Sequence, residues 1–131
     1  MNFLLITIRY LILTSIIYLG LYNTCYSDVD YYSVDNNVIV NAIYKSEGGS
    51  NTKYPYGIVS IDTNGNEEYA RKICYNTVRN NKKRFKNQSI YNDYIEFLGS
   101  RYAPIGVSND PTNLNKNWIK NVKYFINQEV I

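Results

Sequence analysis

The sequence predicts a mainly α fold of about four helices with a short β-like wall, an α+β arrangement preceded by an N-terminal signal segment. Apolar residues recur at helical spacing in four stretches, each bounded by residues that favour caps or turns. Between the first two stretches, residues 57–61 alternate apolar and polar side chains, which is typical of a short strand. The 131 residues contain no visible repeat or linker, so one domain is expected after the leader.

The first residues have the composition of a targeting segment. Residues 10–21 are apolar except for one Thr-Ser pair, and Arg9 precedes them. Cys25 and Ser27 place small side chains at the −3 and −1 positions of a cleavage site before Asp28. These features predict export.

Residues 1–27 are therefore predicted to be a signal peptide, and residues 28–131 a single domain. An uncleaved anchor is the alternative, because residues 3–22 could just span a bilayer if Arg9 reaches the interface. The predicted location is secreted, periplasmic or in the cell envelope. Membrane attachment is expected only if the N-terminal segment is retained.

Composition narrows the chemistry that the domain can perform. The chain has no histidine, which excludes imidazole-based triads and zinc sites that use histidine. Removal of the signal peptide would leave Cys74 as the sole cysteine. Its place on an apolar helical stripe predicts a buried, inert thiol. No metal and no cofactor are predicted. An enzyme of this composition must rely on carboxylates or on some of its 15 tyrosines.

The first helix carries the candidate catalytic acid at its end. Asp35 is a plausible N-cap, and Ile39, Ile43 and Glu47 recur at intervals of four residues, so Glu47 falls on or beside the buried stripe. The negative end of the helix dipole and partial burial both raise the pKa of such a carboxyl group, as a general acid requires. The alternative is a solvated last-turn residue with Gly48 as the C-cap.

The loop after this helix supplies the other candidate site residues. Tyr54 and Tyr56 flank a proline and precede Gly57, so a rigid loop could present two rings to a groove. The strand-like segment that follows ends at Asp62, the candidate second carboxylate. The alternative for Asp62 is a turn residue whose side chain binds the backbone before Asn64-Gly65.

Three more helices are predicted from periodicity. The second covers Glu67 to Phe85 with Asn66 as its cap, and the third covers about Ile90 to Leu98 and ends at Gly99. The fourth opens at about Asp110-Pro111, a capping residue followed by a proline suited to the first turn. Its apolar stripe is Leu114, Trp118, Val122, Phe125 and Ile126.

A basic run occupies the last turns of the second helix. It is explained by complementarity to the helix dipole and by a solvated face. The functional alternative is a contact with an anionic polymer such as teichoic acid, with lipid headgroups or with nucleic acid. Nucleic acid conflicts with export and is not predicted as a partner. The residues of the run are Arg79, Lys82, Lys83, Arg84 and Lys86.

The order of Glu47, small residues and then Gly-Ile-Val-Ser-Ile at 57–61 resembles the lysozyme-like superfamily, in particular its soluble lytic transglycosylase and goose-type lysozyme branch. The resemblance implies a lysozyme-like fold with Glu47 as the catalytic acid and residues 57–61 lining the sugar cleft. Tyr102 resembles a late tyrosine that lies near the glutamate in this family. Gly48 replaces the usual serine, and Ser60 replaces the usual glutamine.

The resemblance implies an exported enzyme that cleaves peptidoglycan between N-acetylmuramic acid and N-acetylglucosamine, as a lytic transglycosylase or a lysozyme-type glycosidase. The alternative is a non-catalytic secreted protein of lysozyme-like shape that binds cell-wall glycan. The candidate carboxylates are Glu47 and Asp62. The expected substrate contacts are Tyr54, Tyr56, Gly57, Ser60 and Tyr102.

Overall fold

A computed structural model describes residues 29–108, 110 and 113–130, and this part of the chain is mainly helical. Its four α-helices are α1 (Asn36–Ser46), α2 (Glu67–Phe85), α3 (Tyr94–Tyr102) and α4 (Trp118–Val130). The predicted signal segment lies outside the described residues. None of the helices described is long and apolar enough to cross a bilayer.

Side-chain caps explain where the first three helices begin. The Asp35 carboxylate accepts the Asn37 N–H at 2.7 Å, and the Asn66 side chain accepts the Tyr69 N–H at 2.9 Å. Asp93 caps α3 in the same way through the Glu96 N–H, also at 2.9 Å. The predicted caps of α1 and α2 are confirmed, and α2 begins and ends at the predicted residues.

The predicted bounds of the third helix were wrong by about four residues at each end. Ile90 and Tyr91 lie four residues before Tyr94 and Ile95, which is a helical spacing. The Gln88 side-chain oxygen, however, accepts the N–H groups of both Ile90 and Tyr91 at 2.8 Å and holds them in a turn. Ile90 is consequently 84% exposed. Gly99 does not end the helix but lies inside α3. Its lack of a side chain allows a close contact with α4, because a Cβ at this position would stand 2.6 Å from Ile119 Cγ1.

The fourth helix also begins later than predicted. Asp110 is a capping residue, but its carboxylate accepts the N–H groups of Leu114 and Asn115, at 2.9 and 3.1 Å, and so caps a 3₁₀ turn. That turn covers Leu114–Asn117, and α4 follows it directly from Trp118. Leu114 lies in the turn and is exposed, whereas Trp118, Val122 and Ile126 form the buried stripe of α4.

The predicted β-like wall is not found, because the described residues contain no strand. Gly57 has φ +69°, outside the extended region, and residues 59–62 are exposed. An extended segment without a partner strand forms no stable sheet. The connection between α1 and α2 is therefore an irregular loop that begins with a short 3₁₀ turn, Gly49–Asn51.

The core lies between four helices that pack in a ring. α1 contacts α2 and α4, and α3 closes the ring by contacting the same two helices. Ile39 and Ile43 of α1 are fully buried at the centre, and Tyr56 of the loop packs against Tyr44 with ring centroids 5.1 Å apart. This arrangement anchors the loop against the end of α1, where Glu47 lies.

Candidate active site

Glu47 lies at the C-terminal end of α1 with its side chain turned towards α4. Its backbone N–H completes the helix by donating to the Ile43 carbonyl at 3.0 Å, and Gly48 then reverses the chain at φ +89°. The Trp118 indole N–H donates to Glu47 Oε1 at 2.8 Å. The residue therefore ends the helix and also places a half-buried carboxyl group between two elements.

Gly57 forms the wall against which this carboxyl group rests. A Cβ at position 57 would lie 2.6 Å from Glu47 Cδ and 2.7 Å from each carboxyl oxygen. The backbone of Gly57 has φ +69°, which side-chain-bearing residues rarely adopt. Glycine is thus required here both by the backbone conformation and by the space that Glu47 occupies.

Tyr102 links the site to the core. Its ring stacks on Trp118, with centroids 5.3 Å apart and planes inclined by 24°. Its hydroxyl donates to the Tyr56 carbonyl and lies 3.6 Å from Cys74 Sγ. Burial raises the pKa of Tyr102 well above its ordinary range, so the phenol stays neutral. Tyr102 therefore positions Trp118 and the loop backbone.

The protonation of Glu47 is shifted in the direction that an acid catalyst needs. Burial raises the pKa of Glu47 above its ordinary value of 4.5, and the hydrogen bond from Trp118 opposes part of this rise. The C-terminal end of α1 also disfavours a negative charge. Burial also raises the pKa of the Cys74 thiol, to about 12, which makes it a poor nucleophile.

An open groove of about 350 Å³ gives access to Glu47. Among the described residues that line it, Glu47 is the only carboxylate and Lys53 the only cation. Tyr54 stands at the groove with 36% of its surface exposed. The lining also contains Thr52, Gly57, Val59, Tyr102, Ala103, Pro104 and Asn115.

A larger cavity of about 500 Å³ adjoins this groove and shares Ala103, Pro104 and Asn115 with it. Of the described residues that line this cavity, only Glu96 is a carboxylate. It is half-exposed and lies 3.5 Å from the Lys123 ammonium group. An exposed carboxylate that pairs with a lysine has the features of an ordinary surface salt bridge. The chemistry is therefore assigned to the smaller groove around Glu47.

Not all predicted site residues meet at this groove. Tyr54, Gly57 and Tyr102 line it with Glu47, but Ser60 and Asp62 are exposed and lie outside its lining. The Asp62 carboxylate accepts the Asn64 N–H at 2.8 Å, which is the turn expected as the alternative for this residue. Asp62 therefore contributes no second acid to the groove.

Tyr56 also differs from its predicted role as a sugar-facing ring. It is 3% exposed and packs into the core against Tyr44, within a turn closed by the Gly57 N–H, which donates to the Tyr54 carbonyl at 2.8 Å. Only its backbone carbonyl reaches the site, where it accepts the Tyr102 hydroxyl.

Trp118 is the site residue that sequence reasoning missed. Its helical spacing correctly predicted a core position, and it is 6% exposed. Periodicity does not tell which end of the indole meets a polar group, and its partner lies 71 residues earlier in the chain. No signal in a single sequence reports such a pairing.

Within residues 29–108, 110 and 113–130, the His, Cys, Asp and Glu side chains form no group of three or more that could hold a metal ion. No protein-family model matches the chain, and no curated protein or solved structure is significantly similar to it. Interpretation of the site therefore depends on its geometry and chemistry.

Replacing Gly57 by alanine is expected to displace the Glu47 carboxyl group, because the new Cβ would overlap Cδ. The left-handed backbone alone should cost about 1–2 kcal/mol of unfolding free energy. Gly65→Ala is the matched control, since Gly65 has φ +73° and nothing within 4 Å of the added atom. Urea denaturation should show a loss of this size for Gly65→Ala and a larger one for Gly57→Ala, because only the latter must displace the half-buried Glu47 carboxyl group. Equal losses in the two variants would show that Gly57 does not constrain the position of Glu47.

Proposed function

We propose that the chain is an exported, lysozyme-like enzyme that cleaves peptidoglycan between N-acetylmuramic acid and N-acetylglucosamine, with Glu47 as the general acid. The observation that carries the proposal is a half-buried carboxyl group, with its pKa raised by burial, that lines an open groove. A proton donor to the leaving oxygen is the first requirement of glycosidic cleavage.

The hydrogen bonds of Glu47 support a defined position for the transferable proton. Oε1 accepts the Trp118 N–H, and within the described residues Oε2 has no hydrogen-bond partner. When Glu47 is neutral, only one of its two oxygens carries the proton. Because Oε1 uses a lone pair to accept the Trp118 N–H, we assign the proton to Oε2. Oε2 is then the atom that donates to the glycosidic oxygen of a bound sugar chain.

The surroundings of the groove suit a polymeric substrate. The groove adjoins the larger cavity at Ala103 and Pro104. It also adjoins a third cavity of about 230 Å³, with which it shares Thr52 and Lys53. A glycan strand that follows these cavities would pass Glu47 in the groove that connects them.

The single carboxylate favours transglycosylation over hydrolysis. Two-carboxylate glycosidases hold their acids about 5–9.5 Å apart, and no second carboxylate is present among the described residues that line the groove around Glu47. In the family that the sequence resembles, lytic transglycosylases use one glutamate. Glu47 would protonate the leaving oxygen, the muramic C6 hydroxyl would attack its own C1, and the Glu47 carboxylate would then take the proton of that hydroxyl. The product is an internal anhydro ring.

The lack of a second carboxylate in the lining also favours one other candidate, a secreted glycan-binding protein without turnover. The two functions differ in the role of Glu47. A binding protein would retain wall affinity after Glu47→Gln and would depend mainly on exposed contacts such as Tyr54.

Cleavage of purified cell walls tests the proposal, with release of soluble fragments as the measured quantity across a pH series. Because the acid must be protonated, activity should fall as the pH rises through the raised pKa of Glu47, above 4.5. A protein that binds walls but releases no fragments at any pH would favour the binding function.

A further inference from the structure

The outer face of α2 carries a row of cations that the proposed active site does not use. Lys72, Arg79, Lys83 and Lys86 are exposed, and successive members are seven, four and three residues apart. These intervals are close to whole turns, so the side chains share one face of the helix along about 21 Å. Lys86 directly follows the last residue of α2 and keeps the helical conformation.

This face points away from the protein interior. Ala70, Cys74 and Val78 of α2 are buried against the core, and the cations lie on the opposite side of the helix. Within the described residues none of the four cations forms an ion pair, and the ammonium group of Lys86, at the end of the row, lies 5.7 Å from the Tyr32 ring centroid while its residue stays exposed. Asn76 and Asn80 lie between them, so the row is polar throughout.

The positive charge of the protein is concentrated on this helix. Residues 67–86 contain seven cations and two carboxylates, a net charge of +5, whereas the complete chain carries +3. The remainder of the chain is therefore net negative. Four of the seven cations form the row, and Arg71 and Lys82 face neighbouring segments instead. The row gives its face of the helix a positive potential that attracts polyanions.

Lys82, one of the five cations predicted to contact an anionic polymer, does not belong to the row. Its ammonium group donates to the Val34 carbonyl and lies 5.8 Å from the Tyr32 ring centroid and 5.7 Å from that of Tyr94. Burial lowers the pKa of Lys82. Lys82 therefore ties α2 to the segment before α1, and Lys72 takes its place in the surface row, with Arg84 exposed at its flank.

We propose that this row binds a linear anionic polymer of the cell envelope, a phosphodiester chain of the teichoic acid type. A straight row of separated cations matches a chain with one negative charge per repeat. A membrane surface fits less well, because an interfacial helix needs an exposed apolar face, and that of α2 is buried in the core. The choice of an envelope polymer rests on the proposed function, which places the protein at the wall.

Binding to purified, lipid-free glycerol phosphate polymer tests this proposal, with Glu47→Gln as the background so that no cleavage interferes. The double variant Arg79→Glu, Lys83→Glu should bind at least about 10-fold more weakly, and parental binding should weaken as salt is raised. The double variant Lys116→Glu, Lys120→Glu is the matched control, because it makes the same charge change at exposed positions outside α2. Its affinity should change by less than about 3-fold.

Equal weakening by the two double variants would overturn the proposal, because only net charge would then matter. So would tighter binding to phosphatidylglycerol vesicles or to single-stranded DNA than to the polymer. These are binding results, so they leave the cleavage test of Glu47 unaffected. A failed cleavage test would likewise leave the polymer measurement valid.

Discussion

Replacing Glu47 by glutamine is expected to reduce the release of wall fragments by about 10²–10⁴-fold, the usual contribution of a general acid. Glutamine has nearly the same shape and its side-chain oxygen can still accept the Trp118 N–H, so the groove should survive. What is lost is the proton on Oε2. Fragment release from equal amounts of parent and variant on the same wall preparation measures the effect.

Asp62→Asn is the matched control for this result, because it makes the same acid-to-amide change at an exposed carboxylate outside the groove. It should leave activity close to that of the parent. A comparable loss in Asp62→Asn would point to a second acid that reaches the substrate. Full activity of a folded Glu47→Gln protein would end the proposed mechanism.

The stability of the Glu47→Gln variant gives a separate check on burial. Because folding raises the pKa of Glu47, its contribution to stability is largest below 4.5 and is lost as the pH rises through the folded value. At pH 7 the carboxyl group of Glu47 ionises more readily in the unfolded chain than in the folded one, which favours unfolding, whereas glutamine stays neutral in both states. The variant should therefore melt at or above the parent at pH 7, and the difference should vanish in acid.

Replacing Trp118 by alanine is expected to lower the free energy of unfolding by about 3–5 kcal/mol, the typical cost of truncating a large buried aromatic residue. Trp118 is almost fully buried, stacks on Tyr102 and lies beside Gly99. For a small domain, whose total stability lies towards the low end of the usual range of about 5–15 kcal/mol, such a loss leaves little folded protein at 37 °C. Urea denaturation measures it, and a midpoint within a few tenths molar of the parent would show that α4 is not packed as described.

Trp118→Phe separates packing from the hydrogen bond. Phenylalanine retains an aromatic ring against Tyr102 but has no N–H for Glu47 Oε1. Removing this donor leaves burial unopposed, so the pKa of Glu47 should rise and the alkaline limit of activity should move to higher pH. A purely structural role would lower activity at every pH without moving that limit.

The sequence was most informative where local chemistry decides the outcome. α2 was predicted at both ends because Asn66 caps it and its apolar residues keep helical spacing up to Phe85. α3 was misplaced because Ile90 has the right spacing but is held in a turn by the Gln88 side chain. Spacing reports which residues are compatible with a helix, and it does not report which competing hydrogen bond is formed.

The candidate site was accessible to sequence reasoning only in part. Glu47 could be placed beside the buried stripe, since it lies four residues after Ile43, which is fully buried. Tyr54 lies at the groove and Tyr56 in the core, and the two are separated by a turn in which the Gly57 N–H donates to the Tyr54 carbonyl. The contact between Glu47 and Trp118 depends on how α1 and α4 pack, which no local pattern encodes.

Mass spectrometry of the soluble products from purified peptidoglycan tests the central claim most directly. We expect the parent protein to release fragments that end in 1,6-anhydro-N-acetylmuramic acid, and Glu47→Gln to release almost none. Reducing N-acetylmuramic acid ends would show that water attacks in place of the C6 hydroxyl group. Parent digests without any soluble glycan fragments, or with the same yield from Glu47→Gln, would contradict the assignment of Glu47 as the acid of a peptidoglycan-cleaving enzyme.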